Sequence, residues 1–439
     1  MDPILIVMLG LVGMFLLIAL HVPVGVAMAA TGIVCYAVME GSWIQAFSLL
    51  KTESASALSS LELAVIPLFL LMGGFATASG MSADIYRMAQ AFIGHRRGGL
   101  ALATIGACAG FGAVSGSSIA TAATMTRVAL PEMLSRGYSP RLAAGAVAAG
   151  GSLGMLIPPS ILMVLYAVLT EQSVLSMFAA AVVPGILAVA LYMIAIAVYV
   201  RLNPESGPTT LRETWRARAR ATARSWRVVI LAFVVSGGIY GGVFTVNEAA
   251  GVGAGLAFLF YFGGSGRSRA SIVEVLGDTA ATTAMLFLII IGAATMSYFV
   301  TISGAPGMLI SWMQAQDLPP LAVIAILAIL FLIIGSIFDT TAGMVITLPF
   351  VYPLVVGMGF DPVWWGIIMI VLIETGMITP PIGLNVFVLH GMVKEIPLGT
   401  IFRGIVPFFI ADIVRLAILI LFPGLVLWLP NALGFASYF

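Results

Sequence analysis

Charge is scarce in this sequence. Only 8% of the 439 residues are Asp, Glu, Lys or Arg, the formal net charge is +1, and 61% of the residues are hydrophobic. A soluble domain of that composition would expose too much apolar surface to water, so the chain is expected to be a polytopic membrane protein. The near-neutral charge balance also gives no reason to expect a nucleic-acid partner.

Cysteine, histidine and nucleotide-binding motifs are equally sparse. The two cysteines, Cys35 and Cys108, lie in apolar segments and predict neither a disulfide framework nor a metal site. His21, His95 and His390 stand apart in the sequence, which argues against a zinc enzyme. No GxxxxGK[ST] motif occurs, so the chain itself is not expected to act as an ATPase.

Long apolar runs make up most of what is present. Hydropathy predicts spans long enough, or nearly so, for about 30 Å of hydrocarbon. They lie near residues 4–20, 24–40, 61–80, 141–170, 174–200, 228–246, 249–263, 276–303, 364–392 and 404–428. Two further apolar regions, 99–130 and 319–358, carry Gly, Ser, Thr and Pro at their centres and are predicted to be re-entrant hairpins.

Two of the predicted spans contain a double proline after a glycine, in GSLGMLIPPS from Gly151 and GMITPPIGLN from Gly376. A double proline removes two backbone donors and disfavours helical geometry in the preceding residue, so an apolar helix must break there. Freed carbonyls inside a bilayer require burial in protein or a water-filled cavity, and paired broken helices mark ion and substrate sites in transporters. The alternative is a packed proline kink that binds nothing.

The basic residues are distributed unevenly about these spans. Threading the chain through the spans places all but two of the 19 Lys and Arg residues on one face, with Lys51 opposite and Arg415 inside a span. The positive-inside rule makes that face cytoplasmic, and both termini then lie outside. The hairpin at 99–130 is therefore predicted to enter from the cytoplasm and the hairpin at 319–358 from the outside.

The two halves of the chain also share local sequence. MGGFATASG from Met72 and MSYFVTISG from Met296 match at Met, Phe, Thr, Ser and Gly, and chance similarity is the alternative for that match alone. Residues 1–200 and 228–439 each contain five predicted spans and one hairpin, and an odd number of spans inverts the second half relative to the first. The predicted fold class is an all-α polytopic membrane protein with two inverted-topology repeats.

The connector between the halves, residues 201–227, is strongly polar. Its arginines recur at every fourth position and so share one helix face: Arg212, Arg216, Arg220 and Arg224. This pattern predicts a basic amphipathic helix on the cytoplasmic surface of anionic lipid, with Trp215 and Trp226 as interface anchors. The alternative is an exposed basic linker that only sets the topology.

The first hairpin contains GAVSGSSIATAATMT from Gly112, a run of small hydroxyl residues where the chain would turn back inside the membrane. Hydroxyls and unpaired carbonyls are hard oxygen ligands, which suit an alkali cation. We assign Ser115 and Ser118 to cation contact, and Ser117 and Thr121 to the substrate. The alternative is close helix packing through small residues.

The second hairpin and its neighbouring broken helix carry two carboxylates, Asp339 and Glu374. Carboxylates inside a membrane are costly, and two of them would repel an anionic substrate, so we assign both either to the cation side or to structural pairing. Arg415 is expected to form an ion pair with Asp412, one turn away on the same helix. Further polar residues of the same two segments are assigned to the substrate: Thr340, Thr341 and Asn385.

Broken helices have a direct electrostatic consequence. The positive ends of half-helices attract anions and the freed carbonyl ends attract cations, which favours a cation-coupled carrier of an organic anion. Two alternatives stay open at this point. One is an inverted-repeat anion carrier that works without partner proteins, and the other is a membrane-embedded enzyme, although a serine nucleophile at Ser117 would lack an evident base.

Four stretches carry a family resemblance that extends over almost the whole chain: FLLMGGFATASGMSADIYR from Phe69, FGAVSGSSIATAATMTRVALPEM from Phe111 continuing into GGSLGMLIPPSILMVLYAVLTEQSV, FDTTAGMVITLPFVYP from Phe338, and IETGMITPPIGLNVFVL from Ile373. With these stretches the sequence resembles the large membrane subunit of the tripartite ATP-independent periplasmic (TRAP) transporters. The resemblance implies sodium-coupled uptake of a small organic acid, a dicarboxylate or related carboxylate, across a bacterial inner membrane. It implies no cofactor besides the coupling ion.

The same resemblance implies partners, a mechanism and site residues. The partners would be a small four-helix membrane subunit and a periplasmic substrate-binding protein, and transport would follow an elevator-type movement of a hairpin domain against a fixed scaffold. Two sodium sites are implied, the first near Ser115, Ser118, Gly154, Ile157 and Pro159, and the second near Gly335, Gly376, Thr379 and Ile382.

Overall fold

A computed structural model describes residues 3–263, 269–316 and 319–435, which contain helices and no β-strand. The helices of the first half are α1 Pro3–Ala19, α2 Val24–Glu40, α3 Trp43–Ser59, α4 Val65–Ala78, α5 Met81–Ile93, α6 Gly99–Ser115, α7 Ser118–Ser135, α8 Pro140–Leu156, α9 Ile161–Leu169 and α10 Val174–Leu202. Short 3-10 helices occupy Glu62–Ala64 and Pro204–Ser206.

The connector and the second half follow the same helical pattern. Their helices are α11 Trp215–Arg224, α12 Trp226–Ala232, α13 Gly238–Tyr240, α14 Val246–Phe262, α15 Arg269–Ile302, α16 Ala305–Ala315, α17 Pro320–Ile337, α18 Thr340–Gly357, α19 Pro362–Gly376, α20 Leu384–Met392, α21 Leu398–Leu421 and α22 Gly424–Ala432. A π-helical segment, Phe233–Gly237, joins α12 to α13.

Several of these helices are long and apolar enough to cross a membrane. In the described ranges there are five such helices, or up to eight if each bent helix pair forms one span, judged by length and composition. Shorter apolar helices of 10–17 residues add to them, among them α1, α2, α6, α14 and α19. The prediction of an all-helical, multi-pass membrane protein is therefore confirmed.

Bends and short helices account for the differences from the predicted spans. The span predicted at 61–80 is one arm of a pair that bends by 61°, whose other arm is α3, Trp43–Ser59. The amphipathic α5 and the short α16 also lie outside the predicted spans. The span predicted at 404–428 is divided, because α21 ends at Leu421 and α22 begins at Gly424. Hydropathy reports long apolar runs, but it does not report bends or half-polar helices.

The connector helix begins later than its arginine periodicity suggests. Thr214 caps α11, its hydroxyl accepting a hydrogen bond from Ala217 N at 3.3 Å, so Arg212 precedes the helix. The side chain of Arg218 is buried instead, where Arg218 Nε donates to Ala91 O of α5 at 3.1 Å. The connector is therefore held against α5, while the predicted arginine face is exposed.

The two Pro-Pro helices occupy the centre of the fold. Every residue from Leu142 to Leu156 in α8 is buried, and so is every residue of α19. Helix α8 packs against α6, α7 and α21, and α19 packs against α17 and α18. Helices α2 and α15 pack together at one side, as do α4 and α14. The halves that precede the two breaks, α8 from Leu142 on and α19, thus have no exposed face, which allows backbone groups there to be satisfied by protein.

A cavity lies between α3, α9, α15 and α18. It has a volume of about 420 Å³ and is lined by residues that include Glu53 of α3, Tyr298 of α15 and Tyr352 of α18. Polar side chains therefore reach this cavity from three of the four helices.

Candidate functional site

Two close helix crossings bring each hairpin against a broken helix. A Cβ atom added at Gly112 of α6 would lie 2.6 Å from Gly154 Cα in α8. A Cβ atom added at Gly376 of α19 would lie 2.7 Å from Gly335 Cα in α17. Real Cβ atoms do not approach backbone so closely, so only glycine permits these contacts. The predicted pairs of hairpin and broken helix are adjacent in the structure.

The tip of each hairpin is stabilised by a helix N-cap. Helix α7 is capped by Ser117, whose Oγ accepts from Ala120 N at 3.3 Å. Helix α18 is capped by Asp339, whose carboxylate accepts from Thr341 N at 3.4 Å and Ala342 N at 3.3 Å. Side-chain caps satisfy backbone donors that the first turn of a helix leaves unpaired. Asp339 therefore has a structural role, one of the two roles that the sequence analysis left open for it.

Oxygen atoms cluster at the first hairpin tip. Ser115 Oγ lies 3.0 Å from Thr121 Oγ1, which donates to Ser117 O at 2.7 Å. A Cβ at Gly154 would lie 2.7 Å from both Ser117 O and Thr121 Oγ1, which places α8 directly beside this cluster. The Pro159 carbonyl adjoins Gly116, 3.0 Å from where a Cβ would stand. The cluster consists of hydroxyl and carbonyl oxygens, the ligands that suit an alkali cation.

Two residues at the first Pro-Pro break differ in what they offer. Ile157 caps the C-terminus of α8, and its side chain lies toward Gly185 of α10, so its carbonyl is the only oxygen it can supply. Ser160 is fully buried, and its hydroxyl has no hydrogen-bond partner within the described ranges. Buried hydroxyls are normally paired, so Ser160 is a candidate that the sequence reasoning missed. Its position directly after the double proline is the only sequence signal for it.

Ser118 contacts the second half of the chain. Asn385 Nδ2 in α20 donates to Ser118 Oγ at 2.8 Å and lies 3.3 Å from Ala148 O, while Ser118 Oγ donates to Asn385 Oδ1 at 3.1 Å. Both side chains are fully buried. The structure therefore groups Ser115 with Thr121, and Ser118 with Asn385.

The second Pro-Pro break is built mainly from backbone contacts. Gly383 N donates to Ser336 O at 3.1 Å, joining the segment after the break to the end of α17. Thr379 Oγ1 donates to Thr375 O at 2.6 Å, which leaves its lone pairs able to accept or to bind a cation. The segment Pro380–Ile382 is exposed, with Ile382 at 36%. Gly335 and Gly376 are buried beside it.

The remaining predicted residues of the second hairpin follow Asp339. Thr340 is fully buried, and its hydroxyl donates to Asp339 Oδ1 at 3.4 Å. Thr341 is half-buried. Both therefore lie at the hairpin tip, with Thr340 engaged in the cap.

A cluster of buried charged side chains involves α19 and α21. Asp412 Oδ1 pairs with Arg415 NH2 at 2.9 Å, as predicted, and Asp412 Oδ2 accepts from the hydroxyl of Tyr192 at 2.8 Å. Glu374 is fully buried and interacts electrostatically with Arg415 and Asp412, but neither carboxylate oxygen has a hydrogen-bond partner in the described part of the chain. Glu374 therefore belongs to this charge cluster.

Comparisons with known proteins agree with this architecture. Residues 11–425 match the profile of the family described as "Tripartite ATP-independent periplasmic transporter, DctM component". The C4-dicarboxylate TRAP transporter large permease protein DctM of Pseudomonas aeruginosa is 39% identical over 375 residues, covering 85% of this chain and 87% of that protein. The ectoine/5-hydroxyectoine TRAP transporter large permease protein UehC of Ruegeria pomeroyi is 27% identical over 419 residues, covering 95% and 97%.

A solved structure supports the fold. The YdaH transporter of Alcanivorax borkumensis superimposes with a TM-score of 0.62, covering 86% of this chain and 88% of that chain. Its sequence is 15% identical, so the similarity concerns the fold alone.

Proposed function

The chain belongs to the DctM component family of tripartite ATP-independent periplasmic transporters, and from this premise we propose that it performs sodium-coupled uptake of a small organic acid. Its relatives are named as permeases, so it is a transporter component and not an enzyme. The expected location is a bacterial inner membrane, which it crosses several times.

The observation that carries this proposal is the buried contact between Ser118 and Asn385. It joins the first hairpin tip to the second broken helix, so oxygen atoms of both halves belong to one central region. Ser115, Ser117, Thr121 and the Pro159 carbonyl supply hard oxygen ligands on one side of this contact. Uptake against a gradient requires such a region to bind the coupling ion and the substrate together.

We assign the first sodium ion to the cluster around Ser115 and the second to the break around Thr379. The first cluster is enclosed, with Ser115 and Pro159 buried. The second offers the Thr379 hydroxyl and the carbonyls that the double proline frees. Thr340, Thr341 and Asn385 are assigned to the substrate. Ser117 and Thr121, for which the sequence suggested the same role, are assigned with Ser115 to the first sodium cluster.

The mechanism that we propose is an elevator built from two inverted repeats. Hairpin, glycine crossing, Pro-Pro break and half-helix follow in the same order in each half. The cavity of about 420 Å³ between α3, α15 and α18 supports a boundary between a moving and a fixed set of helices. Inverted repeats around a central site provide alternating access when one set moves against the other.

Cysteine accessibility tests the inverted topology. The loops at equivalent places in the two repeats follow α7 and α18, so a cysteine at Arg136 is expected on the cytoplasmic side and one at Met358 on the outside. An impermeant thiol reagent should label Met358→Cys in intact cells and Arg136→Cys only after permeabilisation. Labelling of both from the same side would exclude inverted repeats.

The partners are proposed from the tripartite family. They are a small four-helix membrane subunit and a periplasmic substrate-binding protein, with membrane lipid as the surroundings. Uptake by the large subunit alone, without the other two proteins, would favour a stand-alone carrier instead.

Reconstitution tests the transport activity itself. Proteoliposomes that contain the chain and both partner proteins should accumulate a labelled C4-dicarboxylate only with an inward sodium gradient, and not with ATP alone. The dicarboxylate is the first substrate to test because the relative at 39% identity is named for it, and ectoine is the comparison because the second relative is named for that. Uptake that survives replacement of sodium by choline, with the proton gradient collapsed, would contradict sodium coupling.

A further inference from the structure

A basic cavity lies beside the connector, away from the hairpin tips. Its volume is about 590 Å³, and it opens between α5, the junction of α11 and α12, and the end of α14. The charged residues that line it are Asp84, Arg87, Arg224 and Arg227. Trp226 and Phe260 supply aromatic walls.

Positive charge dominates this cavity. Asp84 Oδ2 lies 3.0 Å from Arg227 NH2, and Asp84 Oδ1 lies 3.6 Å from Arg87 NH1. With Arg224, three guanidinium groups therefore line the cavity beside one carboxylate. Arg227 NH1 also donates to Phe260 O at 3.3 Å, which fixes this side chain at the base of the cavity. Arg224 has no hydrogen-bond or ion-pair partner among the residues that the structure describes. The cavity therefore has charge available for an anion.

The walls of the cavity are fixed by buried contacts. Ser225 Oγ donates to Asp84 O at 2.9 Å and ties the start of α12 to α5. The guanidinium of Arg218 lies over the ring of Trp215 at 4.9 Å and over the ring of Phe92 at 5.7 Å. Because the connector is held on α5 by these contacts, the cavity is formed before any ligand arrives.

An apolar surface continues from the charged cavity. Trp226 packs edge-on against Phe260, with ring centroids 5.2 Å apart, and is itself half exposed. Leu259, which lines the cavity, is 63% exposed. Phe233 follows Trp226 by two helical turns, which places both on one face of that helical segment, and it is 76% exposed. A free phosphate or a soluble anion would use only the charged part, whereas a phospholipid would cover both parts.

We propose that this cavity binds the headgroup phosphate of an anionic phospholipid, with Arg87 and Arg224 as phosphate ligands and the acyl chains along Leu259 and Phe233. Guanidinium groups bind phosphate oxygens through paired hydrogen bonds, which a diffuse surface charge does not provide. Trp226 lies where an interfacial aromatic side chain is favourable. The site ties the connector between the two halves of the transporter to the lipid of one leaflet.

Lipid binding to the purified full-length chain tests the proposal without a transport assay. Native mass spectrometry in detergent would titrate phosphatidylglycerol, phosphatidylcholine and inorganic phosphate separately. Phosphatidylglycerol is expected to bind specifically, and Arg87→Gln and Arg224→Gln should each weaken that binding about five-fold, the effect of roughly 1 kcal/mol per basic residue. The matched control is Arg220→Gln, an exposed arginine of α11 that does not line the cavity.

Each other outcome would overturn the proposal. Equal weakening by Arg220→Gln would mean that the whole basic surface attracts lipid. Equal binding of phosphatidylcholine, or saturation by inorganic phosphate, would mean that the cavity does not select an anionic lipid. Unchanged phosphatidylglycerol binding in the double variant Arg87→Gln/Arg224→Gln would also contradict it, and an unchanged melting temperature without lipid would show that this variant is folded.

Discussion

The two breaks at the centre of the protein are built alike and enclosed differently. Each has a glycine crossing to its hairpin, and each hairpin tip carries a helix cap, from Ser117 in one and Asp339 in the other. At the first break Pro159 and Ser160 are buried, whereas Pro380–Ile382 at the second break are exposed. The same backbone device therefore produces an enclosed break in one half and an exposed break in the other.

The source of oxygen also differs between the two regions. The first region contains three side-chain hydroxyls: Ser115 Oγ lies 3.0 Å from Thr121 Oγ1, and Ser160 Oγ has no hydrogen-bond partner in the described part of the chain. At the second, the carboxylate of Asp339 is engaged in capping, and Thr379 is the one predicted cation residue with a side-chain hydroxyl. Substitutions of side chains should therefore act in different ways in the two regions, and four experiments test this difference.

Accessibility should give the largest difference. Exposed broken backbone at membrane depth must face water, so Ile382→Cys is expected to react readily with a water-soluble thiol reagent. Ser160→Cys should react roughly a hundred-fold more slowly, the factor that a local opening of about 2.7 kcal/mol gives. The unsubstituted chain, whose Cys35 and Cys108 are buried, provides the background rate. Equal rates at the two positions would mean that both breaks are open to water.

Adding a methyl group at the crossings should have the next largest effect. In Gly376→Ala the new Cβ would meet only backbone atoms of Gly335 and Ser336, which cannot rotate away. In Gly154→Ala the new Cβ would also meet backbone, at 2.7 Å from Ser117 O, but the other atom at that distance is the Thr121 hydroxyl, which can rotate away. Overpacking of this kind costs about 1–3 kcal/mol, so uptake should fall roughly five-fold to a hundred-fold in Gly376→Ala and less in Gly154→Ala.

The control for both is Gly255→Ala in α14, where a Cβ would meet nothing within 4 Å. Uptake at matched membrane expression and the melting temperature are measured for all three variants. If Gly376→Ala behaves like Gly255→Ala, the second crossing is not tight and the described packing is incorrect.

The sodium concentration for half-maximal uptake should change in a variant of the second break but not in a variant of the first. This effect should be smaller than the two described above. Thr379→Ala removes a hydroxyl ligand, whereas Ile157→Ala leaves the carbonyl in place. Loss of a charge-assisted contact, about 1.5–3 kcal/mol, should raise the sodium concentration for half-maximal uptake roughly ten-fold or more in Thr379→Ala. Thr379→Ser keeps a hydroxyl and should retain the sodium concentration of the unsubstituted chain. An unchanged value in Thr379→Ala would show that the Thr379 side chain is not a sodium ligand.

The bridge between the two regions should show the smallest effect. Asn385→Ala and Ser118→Ala each leave a buried partner unpaired, at a cost of about 1–3 kcal/mol. Because the two side chains contact each other, the double variant should be less destabilised than the sum of the two by about 0.5 kcal/mol or more, measured by chemical or thermal unfolding. Strict additivity would mean that the two halves are not coupled through this contact.

Sequence reasoning located most helices and failed where composition is mixed. It missed α3, which contains Lys51 and Glu53, and the amphipathic α5, because a hydropathy window averages over both faces of a helix. It identified the Asp412–Arg415 pair, since residues one turn apart on a helix are neighbours. It left the role of Asp339 open, because a carboxylate before a helix can serve as a cap or as a cation ligand.

The positions of the breaks and caps follow from local sequence. Pro158–Pro159 and Pro380–Pro381 end helices through the missing N–H groups and the ring, whatever surrounds them, and Ser117 and Asp339 cap helices through local bonds. Other features arise from tertiary packing. Ser118 meets Asn385, Ser160 is enclosed while Ile382 is exposed, and Arg218 is the connector arginine that becomes buried. These outcomes depend on contacts between residues far apart in the chain, and neither local spacing nor hydropathy carries information about which buried surfaces pack together.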